Sequence, residues 1–147
     1  MADHLHKQIR DKIETALTGL TTSGARVYPN RIQPMADANL PGLRIFADDE
    51  SVEVQTMHAP YLMERALRLV VECCAKSTTA LDDTLDLMSK EVEIALATGI
   101  TFGSRVLVPL YAGMSFDDDQ SDKPVGVKRL NFTFTYSCMS NAPDTLS

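Results

Sequence analysis

Four aspartates, Asp117, Asp118, Asp119 and Asp122, crowd into the stretch "DDDQSD", with Lys123 next in line and a strand-like run just beyond. Carboxylates this dense could hold a divalent cation, act as an acid–base pair, or form a solvated loop. An EF-hand loop opening at Asp117 needs glycine at its sixth place and glutamate at its twelfth. Those places hold Asp122 and Lys128, so that geometry fails. A catalytic carboxylate pair needs a pocket, and this stretch reads as a polar turn between two strands. A solvated acidic loop is the leading reading, with loose Mg2+ or Ca2+ binding by several carboxylates as the second. No resident cofactor is expected.

Other chemistry is sparse. The chain has no GxGxxG, P-loop, GxSxG or HExxH. His4 and His6 are two apart on a helical run, point to different sides and read as solvated. Cys73 or Cys74 with His58 is the one nucleophile–base pair the chain offers, and no sequence neighbour supports it. The three cysteines form neither a CxxC pair nor a disulfide framework, and all fall in strand-like or apolar runs where a free thiol behaves as a small buried hydrophobe. The sequence points away from an enzyme.

The elements that must position these residues follow from composition and periodicity. At 147 residues, 44% hydrophobic and 23% charged, the chain has the make-up of one soluble globular domain. No apolar stretch spans a bilayer and the start lacks a secretory h-region, so the expectation is a protein that stays in the cytoplasm, away from membranes. A net charge of −6 disfavours tight binding to nucleic-acid phosphates, yet permits a surface past which DNA slides.

Residues 3 to 20 form an amphipathic helix by pattern, with Leu5, Ile9, Ile13, Ala16, Leu17 and Leu20 on one stripe and Asp3 as the N-cap. "ARVYPNRIQP" reads as a short strand broken by Pro29, followed by a loop. "LRIFADD" and "ESVEVQTM" alternate separately and suit a hairpin with "DDE" (48 to 50) as its turn. "ERALRLVVECC" fits a long strand. A second helix opens at Thr79-x-x-Asp82, carries Leu81, Leu85, Met88, Val92, Ala95 and Leu96, and closes at Gly99. "SRVLVPLYAGM" is strand-like, with Pro109 marking an edge or a bulge. "KRLNFTFTYSCM" alternates without a break, Leu130, Phe132, Phe134, Tyr136 and Cys138 on one face. The sum is an α+β fold: a mixed, mostly antiparallel β-sheet with two helices packed on one face, spanning 1–139, and a flexible tail over 140–147.

The order and spacing of these elements resemble the tail terminator (minor tail) proteins of lambda-like phages with long, non-contractile tails. "HLHKQIRDKIETALTGL" is similar to that family's first helix and "LPGLRIFADDE" to its first core strand. "RALRLVVECCAKSTTALDDTLDLMSKEVEIAL" resembles its long strand and aspartate-started helix, and "DDDQSDKPVGVKRLNFTFTY" its final hairpin. The Cys73-Cys74 pair and Pro109 depart from the pattern. The resemblance implies a virion structural protein: a ring, six-membered in the family, that caps the tail tube, ends its polymerisation and presents the surface that joins the head. Implied partners are further copies of the chain, the tail-tube protein and a head-completion or connector protein, with DNA passing through the lumen. The implied place is the head-proximal end of the tail, assembled in the host cytoplasm. Asp117, Asp118, Asp119, Asp122 and Lys123 would then meet a neighbour or the tube end, and Arg26, Arg31, Arg44 and Arg68 of another copy are candidate counter-charges. A head-completion or neck protein is the alternative, and a small cytoplasmic ligand-binding domain or enzyme the more distant one.

Overall fold

The computed structural model describes residues 3–29, 40–76, 80–119 and 125–147, with backbone alone at 117–119 and 125. Helix α1 (Leu5–Leu17) buries Leu5, Ile9, Ile13 and Leu17, one residue per turn. It starts two residues later than its pattern predicts. His4, not Asp3, is the N-cap, and its Nδ1 accepts the His6 N–H at 3.0 Å. Asp3 instead joins Asp11 in holding Lys7, at 3.1 and 2.9 Å. The helix ends early because Thr18 turns extended and Gly19 takes a φ of 93°.

Strand β1 (Val27–Tyr28) lies parallel to β2 (Gly42–Val54), which is one unbroken strand rather than two strands joined by a turn. The expected turn at "DDE" is a β-bulge between Ala47 and Asp49. Across the ladder, Arg68 gathers both Asp48 and Asp49, at 3.3 and 2.5 Å. One arginine thus serves both aspartates of the acidic run within a strand.

Strand β3 (Leu62–Lys76) pairs antiparallel with β2 on one side and, along its whole length, with β7 (Val125–Met139) on the other. Helix α2 (Leu81–Leu96) buries Leu85, Met88, Val92 and Leu96; its N-cap is Ala80, without a side-chain cap bond, while the expected cap Thr79 lies outside the described residues. Asp82 and Asp83 in the first turn complement the helix dipole.

The expected strand around Pro109 divides. Strand β5 (Arg105–Leu107) pairs with β4 (Ile100–Phe102), an element the pattern had not shown, and β6 (Leu110–Asp119) pairs antiparallel with β7. The main sheet has the order β1-β2-β3-β7-β6, with both helices against one face. The fold is α+β. The core lies between helices and sheet, where Leu43, Ile45, Leu67, Leu69, Val71, Leu130, Phe132 and Phe134 meet the apolar stripes of α1 and α2.

Residues 140–147, expected as a flexible tail, make several bonds back to the body, among them those of Ser140 with Tyr61 and of Arg105 with the Ser147 carbonyl. Pro143 O accepts the Leu5 N–H, Asp144 O accepts from Gln8, and the Ser147 N–H donates to Ser137 O, each at 2.9 Å.

Candidate assembly surface

Strand β6 forms one edge of the sheet and ends in the acidic cluster. Asp117, Asp118 and Asp119 pair with Val127, Gly126 and Val125 of β7, so they continue a strand rather than form the expected loop. The ladder persists because β7 keeps its extended run back to Val125. Asp122, Lys123 and Arg31 lie outside the described residues.

Each of the three described arginines expected as counter-charges is held by its own chain. Arg26 donates to the carbonyls of Pro41 and Thr22, at 2.7 and 3.1 Å. Arg68 holds Asp48 and Asp49. Arg44 reaches Glu72 at 2.8 Å, and Arg129 reaches the other oxygen of the same carboxylate at 2.8 Å. Arg44, Glu72 and Arg129 stand side by side on adjacent strands, in register across β2, β3 and β7. The carboxylate in the middle is only 2% exposed.

A second polar cluster lies on the helix side. The bulge at Asp48 turns Glu50 inward, where Oε2 accepts from the Tyr136 hydroxyl at 2.6 Å and meets His6 Nε2 at 2.8 Å, and Oε1 faces Arg65 at 3.3 Å. His6 is therefore engaged rather than merely solvated, and the His4 ring lies 4.1 Å from it. Burial, and then His6, lower the His4 pKa; burial and the Glu50 bond raise that of Tyr136. A phenol held protonated and a carboxylate with three partners suit a fastening between α1 and the sheet. They do not resemble a nucleophile and its base. Nothing in the sequence marks Glu50, because the bulge that reverses its side-chain direction has no local signature.

The cysteines are buried, and burial pushes the Cys73 and Cys74 thiols up to about 12. His58 is exposed in the β2–β3 turn, at the opposite end of β3, so no Cys–His pair forms. A small thiol reagent at pH 8 is expected to label none of the three cysteines in the folded protein within minutes and all three in denaturant. Stability follows the same linkage. A thiol raised from 9.0 to about 12 in the fold keeps its proton there longer than in the unfolded chain. Its contribution is full below pH 9 and is lost as pH rises towards 12. The melting temperature should therefore fall steadily over that window.

Among the described residues no cluster of three or more His, Cys, Asp or Glu converges as a metal site. Nor is any described helix long and apolar enough to cross a membrane. The surface has open clefts, such as one of about 270 Å3 over Asp49, Ser51, Arg68 and Thr133 and one of about 400 Å3 between α1 and the C-terminal segment.

Large apolar side chains are exposed at several places, among them Met57, Ile94 and Val106, and also on two strands of the main sheet. Leu110 is 72% exposed on β6, and Tyr111, Met114 and Phe116 of the same strand are each more than two-fifths exposed. Val52 and Val54, on the far half of β2, are about half exposed. Both groups lie at lateral edges of the sheet, outside the core.

No family model matches the sequence, and no curated protein matches it. The fold, however, has a solved counterpart. A chain in the virion of a native gene transfer agent (GTA) particle superposes with a TM-score of 0.52 at 17% identity, over 92% of this chain and 92% of that one. The two share a fold over most of their length.

Proposed function

We propose that the chain is a structural protein of a phage-like virion that assembles as a ring, with six copies the expected number, caps the tail tube and presents the surface for head joining. The observation that carries this reading is the likeness of fold, over 92% of each chain, to a chain of the GTA virion. The element order described above, with its acidic β6–β7 hairpin and apolar sheet edges, supports it. Partners on this reading are other copies of the chain, a tail-tube protein and a head-completion or connector protein, with DNA passing through the lumen. The net charge of −6 suits that passage, since a basic lumen would retain DNA. The protein would reside at the head-proximal end of the tail and need no cofactor, with weak cation bridging at Asp117–Asp119 as a secondary feature. A head-completion or neck role is the second reading, and binding to purified tail-tube protein rather than to portal or adaptor separates the two.

The test is the light-scattering mass of the full chain across concentration, with and without Mg2+, followed by negative-stain imaging. Rings with an open centre, weakened when Asp117, Asp118 and Asp119 are replaced by lysine, are the expected result. A strict monomer under all conditions overturns the ring.

A further inference from the structure

The amides that open α1 have no partners further up the helix and must find acceptors elsewhere. That of Leu5 donates to the carbonyl of Pro143, at 2.9 Å, and that of Lys7 to the carbonyl of His4, at 2.9 Å. The amide of His6 has the His4 ring alone, through Nδ1 at 3.0 Å. We infer that this first turn is an acid-sensitive catch: proton uptake by the His4 ring breaks the helix cap and loosens the hold of α1 on the C-terminal segment.

The cap itself comes first. The usual capping residues, Ser, Thr, Asn and Asp, offer an oxygen that still accepts a hydrogen bond in mild acid. An imidazole does not. Its Nδ1 accepts only while the ring is neutral with the proton on Nε2; once both nitrogens carry protons, the ring meets the His6 N–H donor to donor. The new charge also falls at the wrong end of the helix. The positive end of the helix dipole disfavours a cation, the first turn holds no acidic residue to offset it, and the His6 ring lies 4.1 Å away.

The groups around the His4 ring pull both ways. Glu50 of β2 and Asp144 of the C-terminal segment favour a charged ring, whereas burial, His6 and Arg65 of β3 oppose it. The opposing group prevails and holds the His4 pKa below its ordinary value. Glu50 is already engaged by His6, Arg65 and the Tyr136 hydroxyl of β7. A lowered imidazole pKa means that the fold binds fewer protons here than the unfolded chain does. The contribution of the turn is therefore full above about pH 6.5 and is lost as the pH falls below it.

The cap is coupled to the C-terminal segment through its two neighbours in sequence. Leu5 holds Pro143 by its amide, and Gln8 Nε2 donates to the carbonyls of both Asp3 and Asp144, at 2.6 and 2.9 Å. His4 sets the direction of the chain between them, with a φ of −55° and a ψ of 143°. When its ring leaves the cap, the Asp3 carbonyl and the Leu5 amide on either side lose their aim.

The test is amide-resolved hydrogen exchange of the full chain at pH 7.5 and 5.5, corrected for the intrinsic pH dependence of exchange. The His6 amide reads the cap and the Leu5 amide reads the hold on Pro143. Both should exchange about five-fold faster at pH 5.5, the ordinary worth of a helix cap. His4→Asn supplies an oxygen cap without an ionisable ring and should abolish the response. His6→Gln should retain it. A response that persists in His4→Asn, or is missing from the unmodified chain, would overturn the catch. A response lost in His6→Gln would assign it to the pair of rings and overturn the cap as its cause. Faster exchange at His6 alone would overturn the link to the C-terminal segment. A slower Leu5 amide at pH 5.5 would do the same, since it would mean that the charged ring is drawn to Asp144 and tightens the hold.

Discussion

Replacing Glu72 by alanine is expected to destabilise the fold by about 3 kcal/mol, read as a lower urea midpoint at unchanged slope. Glu72 is buried on the central strand with one carboxylate oxygen for Arg44 and the other for Arg129. Its loss leaves two guanidinium groups, on the strands that flank β3, without the anion between them. The full penalty for breaking a buried pair reaches about 3–5 kcal/mol, and the lower end applies because Arg44 and Arg129 are themselves partly exposed. Glu72→Gln retains two polar atoms in place but loses the charge, so its cost should be smaller, about 1–2 kcal/mol. An equal loss for the two variants would mean that packing around residue 72, not the charge, holds the three strands in register.

Gly99→Ala should cost about as much, through the backbone rather than through charge. Gly99 takes a φ of 82°, in the left-handed region where a side chain costs roughly 1–2 kcal/mol. A methyl group there would also lie 2.5 Å from the carbonyl oxygen of Leu107, a backbone atom that cannot rotate away. Forcing β5 aside adds an overpacking term of about 1–3 kcal/mol. The expected total is about 3 kcal/mol, measurable as a drop in melting temperature. Gly103→Ala is the natural control. That glycine also has positive φ, 60°, but a Cβ there meets nothing, so only the conformational cost should be seen. Equal losses at the two positions would exclude the close approach as the cause.

Several elements were legible in the sequence because their signals are local. The unbroken alternation of β7 and the one-sided stripe of α2 both report a face that is buried along its whole length, and both were found as read. What escaped reading depends on contacts made across the sheet. The acidic "DDE" looks like a turn until Arg68, which sits on the next strand, pairs with its two aspartates. Glu50 looks like part of that turn until the bulge directs it towards Tyr136 and His6. Strand β4 is only three residues long and shows no period of its own. At the candidate surface, the aspartates were visible as residues, whereas the apolar edge beside them was not. An exposed edge strand and a buried one carry the same pattern, and only the strand order separates them.

The bonds between the C-terminal segment and α1 bear on how the protein opens locally. The first amides of a helix lack partners within it, and here the Leu5 amide is satisfied by the carbonyl of Pro143, from the other end of the chain. Detaching residues 140–147 would expose that amide and take from Gln8 its bond to Asp144, leaving the one to the Asp3 carbonyl. The two ends of the chain therefore form a single cooperative unit, closing and fraying together. Because His6 in the same helical turn grips Glu50, that unit reaches into the second half of β2. Fraying at the last residues is thereby transmitted to a sheet edge far away in sequence.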